Sequence, residues 1–244
     1  MAGHSKWSNI KHRKGRQDAK KGKMFTSISK EIFAAVRSGG DDPASNTKLR
    51  LAMNKAKAAN MPNDNVERTI KKATGNLDGV TYENITYEGY GPNGVAIFVE
   101  ALTDNKNRTA AEMRLAFNKN GGNLGETGCV AFMFQRSGYL VVEFEANETD
   151  EESLMLAAIE SGADDVMSED EGLEIITEAE TFESVRDSLE KEGVTFTEAE
   201  VTMLPNVKTK LPVNESEEIL RLIDVLEDND DVQEVYHNLE IIDE

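Results

Sequence analysis

With one cysteine in 244 residues, Cys129, the chain can form no intrachain disulfide and no cysteine-based zinc site, and a reducing compartment is expected. No stretch approaches the ~18 consecutive apolar residues of a membrane span. The basic N-terminus runs into the mixed Phe25-Thr-Ser-Ile-Ser-Lys-Glu-Ile32 rather than into the apolar core of a signal peptide. The expected location is therefore cytoplasmic with no membrane partner, and glycosylation-like triplets such as Asn84-Ile-Thr86 carry no meaning. Histidine is scarce as well: His4, His12 and His237 show no ligand spacing, so no metal is expected. Basic residues are few, 27 against 46 acids, for a formal net charge of -19. With 39% hydrophobic residues and 18 glycines the chain is expected to be soluble and folded, in two domains or three small ones.

The scarce cations are concentrated. Residues 1–75 hold 17 Lys/Arg and six Asp/Glu, a net of +11, whereas the remainder holds 10 and 40, a net of -30. Such polarity within one chain points to a nucleic acid or another anionic partner for the basic part; mutual pairing of the basic and acidic parts is the plainer alternative. The first 24 residues carry Lys6, Lys11, Arg13, Lys14, Arg16, Lys20, Lys21 and Lys23 against Asp18 alone. The same arm holds the only tryptophan, Trp7, and two histidines, His4 and His12. Cations interleaved with flat rings suit a phosphate backbone with unstacked bases. Trp7 as a buried anchor for the arm is the competing reading, and without a partner the arm is expected to be partly disordered.

Behind the arm the periodicity predicts three helices. Met24, Phe25, Ile28, Ile32, Phe33 and Val36 form the first, which Ser38-Gly-Gly-Asp-Asp-Pro43 ends. Asn46 or Thr47 caps a second, with Leu49, Met53, Ala56 and Ala59 as its stripe up to Pro62. Lys48 with Lys55, and Arg50 with Lys57, are seven apart, so each pair stacks on one side and the charges flank the stripe. A third helix begins near Asp64, carries Val66, Ile70 and Ala73 inward, and ends at Gly75. Lys71 and Lys72 in its last turn suit the helix dipole at least as well as a ligand. So small a bundle either packs on the rest of the chain or stays mobile.

Thr81–Glu88 and Val95–Leu102 read as strands. Between them Gly89-Tyr-Gly-Pro-Asn-Gly94 matches G-x-G-x-x-G, but a dinucleotide site needs that loop to enter a helix, and here it enters a strand. Asp104-Asn-Lys-Asn-Arg-Thr109 opens a helix with Ala110, Met113 and Phe117 inward; Lys106 and Arg108 there are within reach of a phosphate. The glycine-rich 121–128 segment lacks the Lys-Ser/Thr of a P-loop and carries Glu126, so it reads as a flexible turn into a strand, Cys129–Phe134, with Cys129 in the core.

From Ser137 the order is strand (139–144), helix (151–161, with Leu154, Leu156, Ala158 and Ile159 inward), strands (165–167 and 173–177), helix (181–192) and strand (195–203). This is the ferredoxin-like βαββαβ order. Its acidic faces make it no obvious RNA platform, and it lacks the paired exposed aromatics of an RRM. A linker, Pro205–Pro212, a helix, Glu215–Glu227, and a strand, Val232–Leu239, then complete the middle unit. The expected architecture is α+β: 1–78, a basic helical nucleic-acid-binding domain with its arm; 79–136 plus 204–244, a discontinuous α/β domain; and 137–203, an acidic ferredoxin-like domain inserted into it.

Acidic clusters such as Glu151-Glu152, Glu169-Asp-Glu171 and Asp228-Asn-Asp-Asp231 read as solvated surface. Asp228 opens a calcium-like loop without the Gly and the twelfth-position Glu it needs. No nucleophilic triad or phosphoryl-transfer signature is present, so the expected protein is no enzyme and uses no cofactor and no small-molecule substrate.

Gly3-His-Ser-Lys-Trp-Ser-Asn-Ile-Lys-His-Arg-Lys14, Tyr87-Glu-Gly-Tyr-Gly-Pro-Asn-Gly94, Thr103-Asp-Asn-Lys-Asn-Arg-Thr109 and Tyr236-His-Asn238 together resemble the YebC/PmpR family over essentially the whole chain. The resemblance implies a basic helical domain followed by two α/β domains, and a role as a DNA-binding transcriptional regulator. Mitochondrial relatives resemble translational activators and some bacterial branches act on stalled ribosomes, so a ribosome-associated factor binding rRNA or tRNA is the alternative. An acidic protein-interaction module is the third. The family supplies no agreed catalytic residues. The candidate nucleic-acid contacts are thus those of charge and ring: Lys6, Trp7, Lys11, His12, Arg13, Lys14, Arg16, Lys20, Lys21, Lys23, Lys48, Arg50, Lys55 and Lys57. Oligomeric state is not legible.

Overall fold

The computed structural model describes residues 21–75, 80–147, 150–169 and 171–242. These form an α+β protein whose described part divides into two compact units, one of 21–131 with Pro212–His237, the other of Phe132–Leu211 with 238–242.

In the first unit, three helices lead: α1 (Lys21–Gly39), α2 (Thr47–Ala58) and α3 (Asn63–Gly75). Ile28, Ile32, Phe33 and Val36 of α1, spaced to lie on one face, meet Leu49, Ala52 and Ala56 of α2 and Val66 and Ala73 of α3 in a common core. Met24, expected in that stripe, is 49% exposed. The turn from α1 to α2 is fixed by Asn46, only 5% exposed. Its Oδ1 accepts from the Leu49 N–H (3.1 Å) as an N-cap, and its Nδ2 donates to the carbonyls of Ala35 and Gly40 (2.8 Å each). Gly40, at φ 85°, is where the chain leaves α1.

The bundle packs on the sheet of the same unit. The Phe33 ring meets Tyr82 edge-on at 5.7 Å, and the Ser27 hydroxyl donates to the side chain of Gln233. Strands β1 (Glu83–Tyr90), β2 (Ala96–Thr103) and β3 (Asn123–Leu124) join a late strand, β9 (Val232–His237), in the order β3-β1-β2-β9. β1 and β2 pair in antiparallel register from Glu83 opposite Thr103 to Tyr90 opposite Ala96. Seven of the eight β2 residues are buried, the pattern of a strand covered on both faces. The glycine motif between β1 and β2 forms a single 3-10 turn, Pro92–Gly94, and enters a strand, as a hairpin requires and a dinucleotide site forbids. Gly91 has no room for a side chain: a Cβ there meets the Ile219 Cδ1 at 2.3 Å. Helix α4 (Lys106–Lys119) comes after β2, with Met113 and Phe117 buried.

The second unit holds β4 (Phe134–Glu143), α5 (Glu151–Glu160), β5 (Asp165–Glu169), β6 (Gly172–Glu178), α6 (Phe182–Lys191) and β7 (Glu198–Pro205). Its sheet order is β5-β6-β4-β7, antiparallel throughout, which is the ferredoxin-like arrangement. Leu140, Val142, Leu173 and Ile175 of the sheet pack on Leu154, Phe182, Val185 and Leu189 of the helices. Residues 137–203 contain 21 Asp/Glu against Arg186 and Lys191.

Further expectations are corrected. Cys129–Phe134 is not a strand: a 3-10 turn, Ala131–Met133, precedes β4, and Cys129 is half-exposed rather than core. The Pro205–Pro212 segment contains β8 (Thr209–Pro212), and the terminal strand splits at Asn238, so that β10 (Leu239–Ile242) pairs with β8; between them in sequence runs α7 (Val213–Glu227), which packs on α4 and β9. On α5, Leu154 and Ala158 face inward, but Leu156 and Ile159 are 56% and 57% exposed. Ten residues of helix have one buried stripe, and four apolar side chains at 154, 156, 158 and 159 cannot share it.

Candidate nucleic-acid interface

Of the residues singled out by charge and ring, Lys6, Trp7, Lys11, His12, Arg13, Lys14, Arg16 and Lys20, and the side chain of Lys21, lie outside the described residues. Lys23 sits half-buried in the first turn of α1 and is engaged in an interaction. The four remaining candidates are on α2.

Leu49, Ala52 and Ala56 turn α2 onto the bundle core. At 100° per residue this leaves Thr47, Leu51, Asn54 and Ala58 on the opposite, outward strip, and all four are exposed. Lys48 and Lys55 stand on one flank of that strip, Arg50 and Lys57 on the other. The structure therefore does not gather the four cations into one patch; it sets two on either side of the strip. Their partners differ. Lys48 and Lys57 are exposed, with no hydrogen-bond or ion-pair partner among the described residues. Arg50 is braced, its guanidinium donating to the Pro43 carbonyl (3.0 Å) and the Thr47 hydroxyl (3.3 Å). Lys55 is paired with Glu31 of α1 at 3.1 Å. Burial disfavours its ammonium, but the charge and hydrogen bond of Glu31 outweigh that and raise its pKa.

Neither cation at the entry of α4 is free for a phosphate. Lys106 pairs with Glu83, and Arg108 is held between Asp104 (2.9 Å) and Asp231 (2.7 Å). Asp231 belongs to the acidic run read as solvated surface, and it is 3% exposed. One carboxylate oxygen accepts from Lys30 of α1 (2.8 Å); the other accepts from Arg108, Thr109 (2.8 Å) and Thr103 (3.1 Å). Burial alone raises the pKa of such a group, but the hydrogen bonds from Lys30, Arg108 and Thr109 outweigh it and hold the carboxyl well below the usual range. Asp231 thus ties the helical bundle to the sheet. The signal that marks it in the sequence is Val232: the strand begins immediately after it, so it stands at a sheet end rather than in open loop.

The glycine-rich turn is similarly occupied from within. The Glu88 carboxylate, 2% exposed, accepts from the backbone N–H groups of Gly128 (2.6 Å), Val130 (2.8 Å) and Ala131 (2.7 Å). These bonds overcome the effect of burial and lower its pKa. An anion-binding nest is present here, but the chain fills it with its own carboxylate. Burial and the neighbouring Glu88 push the Cys129 thiol up, the reverse of what a nucleophile needs. Among the described residues no group of three or more His, Cys, Asp or Glu is placed to hold a metal ion, and no helix is long and apolar enough to cross a membrane.

A basic three-helix bundle tied to an α/β sheet that carries an acidic ferredoxin-like insertion defines the class of protein. Two family models match it: the TACO1/YebC protein N-terminal domain over residues 5–76 and the TACO1/YebC second and third domain over residues 82–239. The chain belongs to the TACO1/YebC family. It is 59% identical over 240 residues to a probable transcriptional regulatory protein of Geobacillus kaustophilus, covering 98% of both chains. It is 54% identical to a probable transcriptional regulatory protein of Halothermothrix orenii, covering all of this chain and 97% of the other. A conserved hypothetical protein from Aquifex aeolicus has a crystal structure similar to this one at a TM-score of 0.80, with 44% identity and 98% of each chain covered.

Proposed function

We propose that this protein is a non-enzymatic, cytoplasmic regulator of transcription that binds duplex DNA with its N-terminal arm and with α2 as the reading helix. The observation that carries the proposal is the outward strip of α2, with cations on both flanks. A helix laid in the major groove has a phosphate wall on either side. Lys48 on one flank and Arg50 and Lys57 on the other are positioned for the two walls, whereas Thr47, Leu51 and Asn54 face base edges. Phosphate contacts position such a helix and base contacts specify the sequence. The Asn54 amide, with a donor and an acceptor, matches an adenine edge. The relatives' names support a regulator of transcription.

The test is the salt dependence of binding. Each lost phosphate contact lowers the slope of log K against log salt by about 0.9 on duplex DNA. Lys57→Gln is expected to reduce the slope by about that amount at every sequence. Asn54→Ala is expected to leave the slope unchanged and to level the preference among sites. A flat salt response in the wild type, or a slope untouched by Lys57→Gln, overturns the proposal.

One observation favours a second reading, a ribosome-associated translation factor. Trp7, His4 and His12 stand among the arm's cations, and rings of that kind stack on unpaired bases. Co-sedimentation with ribosomes that is lost on removing residues 1–23, without a sequence-specific DNA footprint, selects this reading over the first.

A further inference from the structure

The backbone polar groups of a strand alternate in direction, and along β1 the direction is known at one point. The Gly125 N–H donates to the Glu88 carbonyl at 2.8 Å, so Glu88 turns toward β3. Thr86 and Asn84, two and four residues back, turn the same way, and the odd-numbered residues of β1 face β2. The next strand agrees: the Leu102 N–H, on an even-numbered residue of β2, donates to the Asp231 carbonyl on the far side (2.7 Å). β3, however, supplies only two residues, Leu124 opposite Gly89 and Asn123 opposite Tyr90. Among the described residues, the N–H and C=O groups of Thr86 and Asn84 therefore face no strand.

Protein sheets usually blunt such an edge with lysine, proline or a bulge. Asn84-Ile-Thr86 has none, and its register with β2 is unbroken. Beside the edge lies a groove of about 530 Å3 whose wall includes Ile85, Ala110, Leu124, Glu88 and Arg114. Of its two charged lining residues, Glu88 is consumed by the three N–H groups of the turn. Arg114 is exposed, with no partner among the described residues.

We propose that the open edge of β1 is a docking site for an extended acidic peptide segment of a partner protein. The segment adds a fifth strand to the sheet opposite Asn84–Thr86, its backbone pairs with the two outward donors and two outward acceptors, and one of its carboxylates meets Arg114. An extended chain is the ligand because only a strand presents paired N–H and C=O groups at the two-residue spacing, ~6.8 Å, of the open sites. The acidic choice follows from the one unspent charge on the wall. No residue of α2 lines the groove, and the site needs no nucleic acid.

The test uses the full-length protein and a fluorescein-labelled peptide of alternating valine and glutamate, seven residues long, followed by fluorescence polarisation. Binding is expected. Thr86→Pro removes one outward donor and places a ring against the incoming strand, so binding should weaken about tenfold or more. The donor does not serve the β1–β2 ladder, and an edge position tolerates proline. Should Thr86→Pro fail to fold by circular dichroism, the decision falls to a peptide N-methylated at alternate residues, whose binding to the wild type must be lost in one of the two registers. Arg114→Glu should weaken the acidic peptide and favour its valine–lysine counterpart. No binding by either peptide, equal binding by both N-methylated registers and the parent, or insensitivity to Arg114→Glu overturns the proposal. Concentration-dependent dimers in sedimentation that vanish in Thr86→Pro overturn it in favour of a second copy of this chain on the edge.

Discussion

Replacing Asp231 by asparagine keeps the shape of the side chain and removes the charge on which two cations and two hydroxyls converge. The cost divides by partner. Lys30 has a side chain 14% exposed, and after the change its ammonium keeps the Asp230 carbonyl at 2.6 Å but no counter-charge. Leaving one member of a buried pair uncompensated costs about 3–5 kcal/mol. Arg108 is 44% exposed and retains Asp104, so its share is that of a surface pair, at most about 1 kcal/mol. The Thr103 and Thr109 hydroxyls still find an acceptor in the asparagine oxygen. The expected loss is therefore about 3–6 kcal/mol, most of it owed to Lys30.

Urea unfolding followed by circular dichroism measures this loss, and the double variant with Lys30→Met isolates its cause. If Lys30 carries the penalty, Asp231→Asn with Lys30→Met is more stable than Asp231→Asn alone. A loss below about 1 kcal/mol, or a double variant whose losses simply add, refutes the argument. The pH dependence has a definite sign. Asp231 has a folded pKa below its unfolded value of about 3.9, so its contribution is fully present above that value and is lost as pH falls toward the folded one. The stability gap between wild type and Asp231→Asn should be constant from about pH 5 to 7 and should shrink below pH 4.

Asn46→Ala removes an N-cap and leaves the carbonyls of Ala35 and Gly40 without their donor, so a loss of about 2–3 kcal/mol by urea unfolding is expected. Glu88→Gln replaces a carboxylate facing three N–H groups by an amide that accepts through one oxygen only; hydrogen exchange at Gly128, Val130 and Ala131 should accelerate, with stability falling by about 2 kcal/mol. Unchanged protection at those three amides contradicts the internal filling of the nest. Gly91→Ala drives a methyl into Ile219 and should cost about 1–3 kcal/mol, whereas Gly128→Ala, with open space around it, should be affected only through its φ of 92°.

Periodicity made most of the fold legible. The three helices, the β1–β2 hairpin and the βαββαβ order come from local patterns of 3.6 and 2, and these patterns survive because each element buries one face. The failures fall where local pattern underdetermines pairing. Val232–Leu239 reads as one strand because nothing within it marks the change at Asn238 from pairing with β2 to pairing with β8. Pro205–Pro212, which contains β8, reads as a linker because its two prolines and two lysines describe an edge strand as well as they describe a loop. Leu156 and Ile159 read as inward on hydrophobicity, but a ten-residue helix over a small sheet covers only one stripe.

The candidate site shows the same division between composition and geometry. A count of charges treats Lys55, Lys57, Lys106 and Arg108 alike, and folding separates them. Lys55 answers Glu31, Lys106 answers Glu83 and Arg108 answers Asp231, while Lys57 is left to solvent. An ion pair over 24, 23 or 123 positions leaves no local trace, so a cation consumed within the fold and one available to a ligand look identical in the sequence. This gives the net charge of +11 on residues 1–75 a narrower meaning. On the proposed function it favours an anionic partner through long-range attraction, whereas the contacts expected to set the salt slope are the cations left over after internal pairing. Lys57→Gln should therefore change that slope, and Arg108→Gln should instead change stability.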